Sequence, residues 1–459
     1  MSIFFSIFRE ENMRKYLRKI KASHYVILTF IAVIYGCNWM CTSVHPPIRD
    51  DEGAAFAGSA TCASCHKDIY RTHTHTAHYL DSRPASKKYI KGSFDSGKNH
   101  FVYNKETEVV LEQKDQRFFQ TSFINGNESQ SHSFDIVIGS GRKGQTYLYW
   151  NNGNLFQLPI SYSTAMDSWC NSPGYPADAA IFNRRVPSYC LECHSTYAGT
   201  EERSMTDKGR EDNADKGIEK HSDAESEIEE HNSSDKETIF RKDQIIYGID
   251  CEKCHGPAAE HVAFQTDHPQ ERKGRYIINA KNLSRQQRLD VCALCHSGAR
   301  VQLRPAFSFK VGDTLNRFSL AKFSSDDAAT LDVHGNQYGL LTSSKCFRLS
   351  QMDCSSCHNV HVNEANGASL FSQRCMTCHN ESTHITCSIN QTPGLLLSNN
   401  CIDCHMPALP SQKILLALSN GSKTIHNLVR THRIAIYPES TKEYLQKIKD
   451  AKATSSTKK

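Results

Sequence analysis

Between residues 98 and 165 the chain falls into six short apolar-rich, strand-prone runs, HFVYN, EVVLEQ, RFFQTSF, FDIVIGS, QTYLYW and LFQLPI, set apart by polar positions. The INGN, GSGRKG and NNGN between them are turn formers. The segment 98–165 therefore predicts a β-rich module of two or three hairpins. Elsewhere long helical periodicity is scarce. EYLQKIKDAK predicts one helix in 438–459, ahead of a low-complexity tail. Residues 200–243 are densely charged and nearly free of aromatics, which predicts a disordered insertion with His221 and His231 solvated.

Composition changes this picture. Only 38% of the 459 residues are hydrophobic, and the mean hydropathy of −0.54 is lean for a conventional core. Nineteen cysteines and twenty-three histidines are both unusually many. At the N-terminus the basic Arg14, Lys15, Arg18, Lys19 and Lys21 precede YVILTFIAVIYG (25–36), which is short for a membrane span and suits a signal-peptide core. Residues 1–40 read as a signal peptide or lipoprotein anchor. Gly36 before Cys37 resembles a bacterial lipobox, so lipidation at Cys37 stands beside a short uncleaved anchor or cleavage nearby. Each alternative exports the chain to the periplasm or cell envelope. The net charge of +5 invites a nucleic-acid partner, but no basic stripe with interleaved aromatics accompanies it, and no nucleic acid is expected.

The cysteines decide the chemistry. Seven segments share C-x-x-C-H: Cys62, Cys65, His66; Cys190, Cys193, His194; Cys251, Cys254, His255; Cys292, Cys295, His296; Cys354, Cys357, His358; Cys375, Cys378, His379; and Cys401, Cys404, His405. This is the attachment spacing of c-type haem, in which two thiols bond the porphyrin and the adjacent histidine binds iron. Zinc ribbons use two C-x-x-C pairs per metal and need no histidine after each, and a dithiol redox centre needs one pair rather than seven. The expected cofactor is heme c, seven copies, covalently attached. Porphyrins would supply the missing apolar interior, and their propionates would remove about seven units of charge from the polypeptide's +5.

Sixteen histidines lie outside the motifs. His361 follows His358 by three residues, a reach of at most about 10 Å, so it must serve a neighbouring haem or none. His261 stands six residues past His255, about 20 Å at full extension, and a neighbouring haem is again favoured. Of His73, His75 and His78 on one short helix, His78 is favoured as a ligand, with the others on a solvated face. His334, His384, His426 and His432 complete the distal set. His100, His132 and His268 read as surface or β-module residues. Met352, Met376 and Met406 are alternative ligands, each too close to its own motif to cap that haem. Cys170, Cys346 and Cys387 lie downstream of the leader and outside the motifs, and export favours a disulfide among them, such as Cys346 with Cys387, or a free thiol.

AGSATCASCH, IGSGRKGQTYLYWNNGNLFQLPISY, WCNSPGY, CEKCHGPAAEHV, CSSCHNVH and CIDCHMP followed by THRI together resemble the exported multihaem c-type cytochromes related to cytochrome c-554. A more distant resemblance is to cytochrome c nitrite reductases and octahaem hydroxylamine oxidoreductases. It implies distal ligation by His78, His261, His334, His361 and His432. It also implies a multihaem cytochrome c fold, mainly α with much irregular loop packed around seven haems, plus a β-rich insertion between the first and second motifs. The expected segments are 54–97 (first haem), 98–165 (β-rich), 166–199 (second haem), 200–243 (charged insertion), 244–437 (five haems) and 438–459 (helix and tail). No C-x-x-C-K is present, so the reductase's catalytic motif does not carry over. The expected function is electron transfer with a quinol oxidase or another cytochrome as redox partner, the chain held to a membrane if Cys37 is lipidated. The alternative is an oxidoreductase of a small nitrogen or sulfur compound at one five-coordinate haem, with Arg184, Arg185 or His132 nearby.

Overall fold

Strand formation in the β-rich segment follows the apolar-rich runs. In a computed structural model that describes residues 46–204, 236–322, 330–364, 367–383, 387, 397–421 and 424–456, two antiparallel sheets occupy it. β1 (Ser82–Pro84), β6 (Ile136–Ile138), β7 (Gly144–Asn151), β9 (Ile160–Ser163) and β10 (Ser168–Asn171) are neighbours in that order, with β8 (Asn154–Gln157) paired to β7. β2 (His100–Val102), β3 (Thr107–Lys114), β4 (Arg117–Ile124) and β5 (Asn127–Ser133) form a meander in sequence order. Asn125–Gly126 and Asn152–Gly153 turn two of the hairpins, each with positive φ at both residues (50° and 78°, 49° and 81°). This is the turn whose twist matches the flanking strands.

The inward faces of the two sheets meet in one apolar cluster that includes Phe101, Val109, Leu111, Phe118, Phe134, Tyr147, Leu158, Ile160 and Trp169. One buried polar side chain joins them. Gln120 of β4 donates to the Ile160 carbonyl at 2.7 Å and accepts from the Ile160 amide at 3.0 Å. Both polar groups of that backbone unit are thereby satisfied inside the core.

The expectation of a mainly α fold is corrected. Helix and strand are nearly equal, 27% and 28%. Ribbons also run through the regions expected to be helix and loop: β11 (Ser195–Ser204) with β12 (Lys236–Tyr247), β13 (Arg300–Gln302) with β14 (Ser319–Ala321), and β15 (Ala408–Ala417) with β16 (Thr424–Arg430). The physical reason is that C-x-x-C-H needs only one helical turn, so seven motifs specify short turns rather than long helices. The β11–β12 ribbon also takes in both ends of the charged insertion, with Glu201 opposite Ile239 and Glu202 opposite Thr238. Only residues 205–235 of that insertion, with His221 and His231, fall outside the described residues.

Helices are brief except for Arg285–His296 and Pro438–Ser456. The first begins in a capping box, Ser284 with Gln287, which satisfies two end donors reciprocally. The second is the expected C-terminal helix. Residues Arg49–Lys459 cluster as one unit and residues 1–48 as another. The leader, with Cys37, and His384 lie outside the described residues, and no helix among the described residues is long and apolar enough to cross a membrane.

Candidate haem-binding site

Each motif is built as one turn of helix. His66, His358 and His379 donate their amides to the carbonyls of Cys62, Cys354 and Cys375 at 2.8, 2.9 and 2.9 Å. The other four motifs end or fill the helices Ser188–His194, Cys251–His255, Arg285–His296 and Cys401–His405. A four-residue step brings the first cysteine and the histidine onto one face, with the second cysteine beside them. Local sequence starts two of these turns: the Asp250 carboxylate accepts from the Cys251 amide at 2.7 Å, and Asp353 accepts from the Ser355 amide at 2.9 Å while Arg288 holds its other oxygen at 2.6 Å.

The motif histidines are oriented through Nδ1. His255 donates to the Ile278 carbonyl at 2.7 Å, His405 to the Ala435 carbonyl at 2.9 Å and His296 to the Gln337 side-chain oxygen at 3.2 Å. His194 Nδ1 meets the Asp81 carboxylate at 2.8 Å. Burial alone would lower the His194 pKa, and Asp81 outweighs it so that the net shift is upward. A proton fixed on Nδ1 leaves Nε2 as the metal-facing lone pair. Two expected distal ligands are prepared in the same way, His261 on the Arg275 carbonyl and His426 on the Ser411 carbonyl, both at 2.8 Å.

Three motif histidines face an expected distal histidine. The ring centres of His296 and His78 are 6.0 Å apart, those of His358 and His432 6.2 Å, and those of His255 and His361 6.3 Å. Two imidazoles that bind one metal from opposite sides, each at about 2.0 Å, have ring centres about 6 Å apart. The ring separation of each pair is that of an iron held from both sides, a spacing His361 also keeps to His73. Burial, then the facing imidazole, lowers both His78 and His432 to a pKa of about 4, which keeps the neutral ligand form at neutral pH. His432 Nδ1 is buried without a partner. His361, three residues past His358, lies beside His255 of another motif. His334 neighbours His194 closely enough for their charges to interact, and burial lowers its pKa. Among the described residues His66, His379 and His405 have no second imidazole at about 6 Å.

Thiols of different motifs lie close enough to influence one another's ionisation: Cys62 and Cys251, Cys193 and Cys295, Cys292 and Cys354, and Cys375 and Cys401. Cys254 lies within electrostatic range of Cys292, and Cys357 of Cys378. Seven motifs dispersed over more than three hundred residues thus form one connected set. Glu252 strengthens its first link by accepting from the amides of Ala57, Gly58 and Ala258 at 2.8, 2.9 and 2.8 Å. Every described cysteine is free, so Cys346 and Cys387 are not paired, and Cys170 is a buried thiol pushed up to about 12 by desolvation.

Sequence reasoning missed His73. It is 6% exposed rather than solvated, and neither ring nitrogen has a hydrogen-bond partner. Its Nε2 is 3.8 Å from Asp250 Oδ1 and its ring centre 6.3 Å from that of His361. With Cys251 it forms a trio whose ligand atoms lie within 4.8 Å of one another. The available signal was the three-residue spacing from Tyr70, which puts both on one face of the helix Lys67–His73. The residues offered for the alternative activity are not gathered near the histidine pairs: His132 sits on β5 against Tyr149 and Phe182, Arg184 donates to the Pro173 carbonyl and Arg185 to Asn154. No family model matches this chain, nor does any curated protein or solved structure.

Proposed function

We propose that this chain is an exported heptahaem c-type cytochrome of the cytochrome c-554-like kind, passing electrons between a membrane or periplasmic donor and an acceptor. The observation that carries this reading is the set of three histidine pairs, His296 with His78, His358 with His432 and His255 with His361, each joining a motif histidine to a histidine outside the motifs. When bound, the haems supply reversible one-electron chemistry at iron. The chain's own residues fix each group by two thiols, aim the imidazoles through their Nδ1 partners and, at His78 and His432, hold the distal ring neutral in a buried site. At His255, His296 and His358, facing imidazoles favour electron transfer over substrate binding, because an iron held by four porphyrin nitrogens and two axial histidines offers no open position. A quinol oxidase or another cytochrome is the fitting partner, with Cys37 as the candidate lipid attachment.

The test is the electron paramagnetic resonance spectrum of the oxidised protein, with cyanide and nitrite added. Low-spin signals from the haems of His255, His296 and His358, unaffected by either anion, are expected. A high-spin signal that accounts for one of these three and responds to nitrite would favour the oxidoreductase alternative.

A further inference from the structure

Asp332 ties together the segments that carry two of the expected distal histidines. Its Oδ1 accepts from the His334 amide at 2.7 Å and from the Ser411 hydroxyl at 2.8 Å. Its Oδ2 accepts from the amides of Gln412 and Lys413, the latter at 3.1 Å. The last three donors belong to β15, 79 to 81 residues further along the chain. They turn to Asp332 because the ladder between β15 and β16 is interrupted there: Pro410 pairs with Leu428 and Leu415 with His426, so residues 411–414 stand opposite Asn427 alone. Amides released by such an interruption need another acceptor, and the carboxylate supplies it. Ser411, which is fully buried, then works in two directions. Its hydroxyl donates to Asp332, and its carbonyl accepts from His426 Nδ1 at 2.8 Å. His334 and His426 are thereby joined through one carboxylate and one serine. The stretch around His334 is also tied to the fourth motif, since the Gly298 amide donates to the Gly335 carbonyl at 2.8 Å and His296 Nδ1 donates to the Gln337 side-chain oxygen at 3.2 Å.

From these contacts we infer that Asp332 is a positioning residue for His334 and His426 together, so that one side chain sets the ligand geometry of two haem sites. Groups that orient a ligand are felt in the metal's own properties as well as in stability. The inference rests on the proposed function and on both histidines serving as ligands.

The test is Asp332→Ala in the full-length protein, read by intact mass, by the electron paramagnetic resonance spectrum of the oxidised form and by potentiometric titration. Asp135→Ala is the control, because Asp135 accepts from the Trp150 amide at 2.8 Å and the Ser133 hydroxyl at 3.0 Å, and neither partner is a histidine. Asp332→Ala is expected to keep the wild-type number of covalent haems, to alter the signals of two of them, in position or by conversion to high spin, and to shift those two potentials and no others. Asp135→Ala is expected to lower the melting midpoint and leave spectrum and potentials as in the wild type. Ser411→Ala removes one donor to Asp332 but keeps the carbonyl that orients His426. It should change the same two signals by less, and it carries the test if Asp332→Ala does not fold. Wild-type signals in Asp332→Ala, a loss of covalent haem, signals altered at any number of haems other than two, or the same alteration in Asp135→Ala would overturn the inference and leave the proposed function standing. A wild type without covalent haem would overturn both.

Discussion

Histidines 218 and 74 residues apart in sequence meet at about one metal's width in His78 with His296 and His358 with His432. Each distal ring is neutral at physiological pH because burial and a facing imidazole both disfavour the charged form. Replacing His432 by glycine should therefore leave all seven attachment sites intact while turning one low-spin haem into a high-spin one. Replacing the exposed His75 in the same way should change nothing in the spectrum. A His432→Gly protein with an unaltered spin state would remove His432 from the ligand set. The motif residues were legible in the sequence, since spacing is a property of the sequence itself; His78, His361 and His432 were named as distal candidates, but which motif histidine each faces was not legible, because the pairs meet through tertiary contacts. His73 was not, because two of its neighbours, Asp250 and His361, are brought to it by tertiary contacts.

At the scale of elements, the β-rich segment carries the most readable signal and offers the clearest stability tests. Gln120→Ala strips both partners from the Ile160 backbone in a dry core, so a loss of about 2–4 kcal/mol is expected in a denaturant melt, with haem attachment unchanged. Gly92→Ala should cost about 1–3 kcal/mol, since an added Cβ would stand 2.1 Å from the Trp169 ring. Variants that melt with the wild type would contradict the packing described. The apolar-rich runs of β3, β4 and β7 and the Asn-Gly turns made these strands legible. β11 and β12 were hidden by the charged side chains Glu201, Glu202, Lys236 and Glu237, because a two-stranded ribbon is held by its backbone ladder and tolerates polar positions on both faces. The mainly α expectation came with the resemblance to multihaem cytochromes, whereas the C-x-x-C-H spacing itself asks for no more than one helical turn.

Across the whole molecule the seven motifs behave as one assembly, and its joints are polar. Glu252 ties the third motif to the backbone just ahead of the first. Glu252→Ala is expected to destabilise the protein by roughly 3 kcal/mol, as one buried and two half-buried amides lose their carboxylate acceptor, and to shift the potentials of the first and third haems more than the rest. Haem loading should also reverse the sign of the protein's charge. The polypeptide alone has a net +5 and a sequence pI of about 8.3, and seven haems remove about seven units. Isoelectric focusing of the loaded protein beside the same chain made without haem attachment should show a clear acidic displacement, and coincident bands would contradict it.

The measurement that bears most directly on the central claim is the intact mass of the full-length protein under denaturing, non-reducing conditions. Seven covalent haems, with Cys170, Cys346 and Cys387 unmodified, are expected. Fewer than seven haems, or a haem-free polypeptide short of two hydrogens for each bridge at Cys62 with Cys251, Cys193 with Cys295, Cys292 with Cys354 and Cys375 with Cys401, would contradict it.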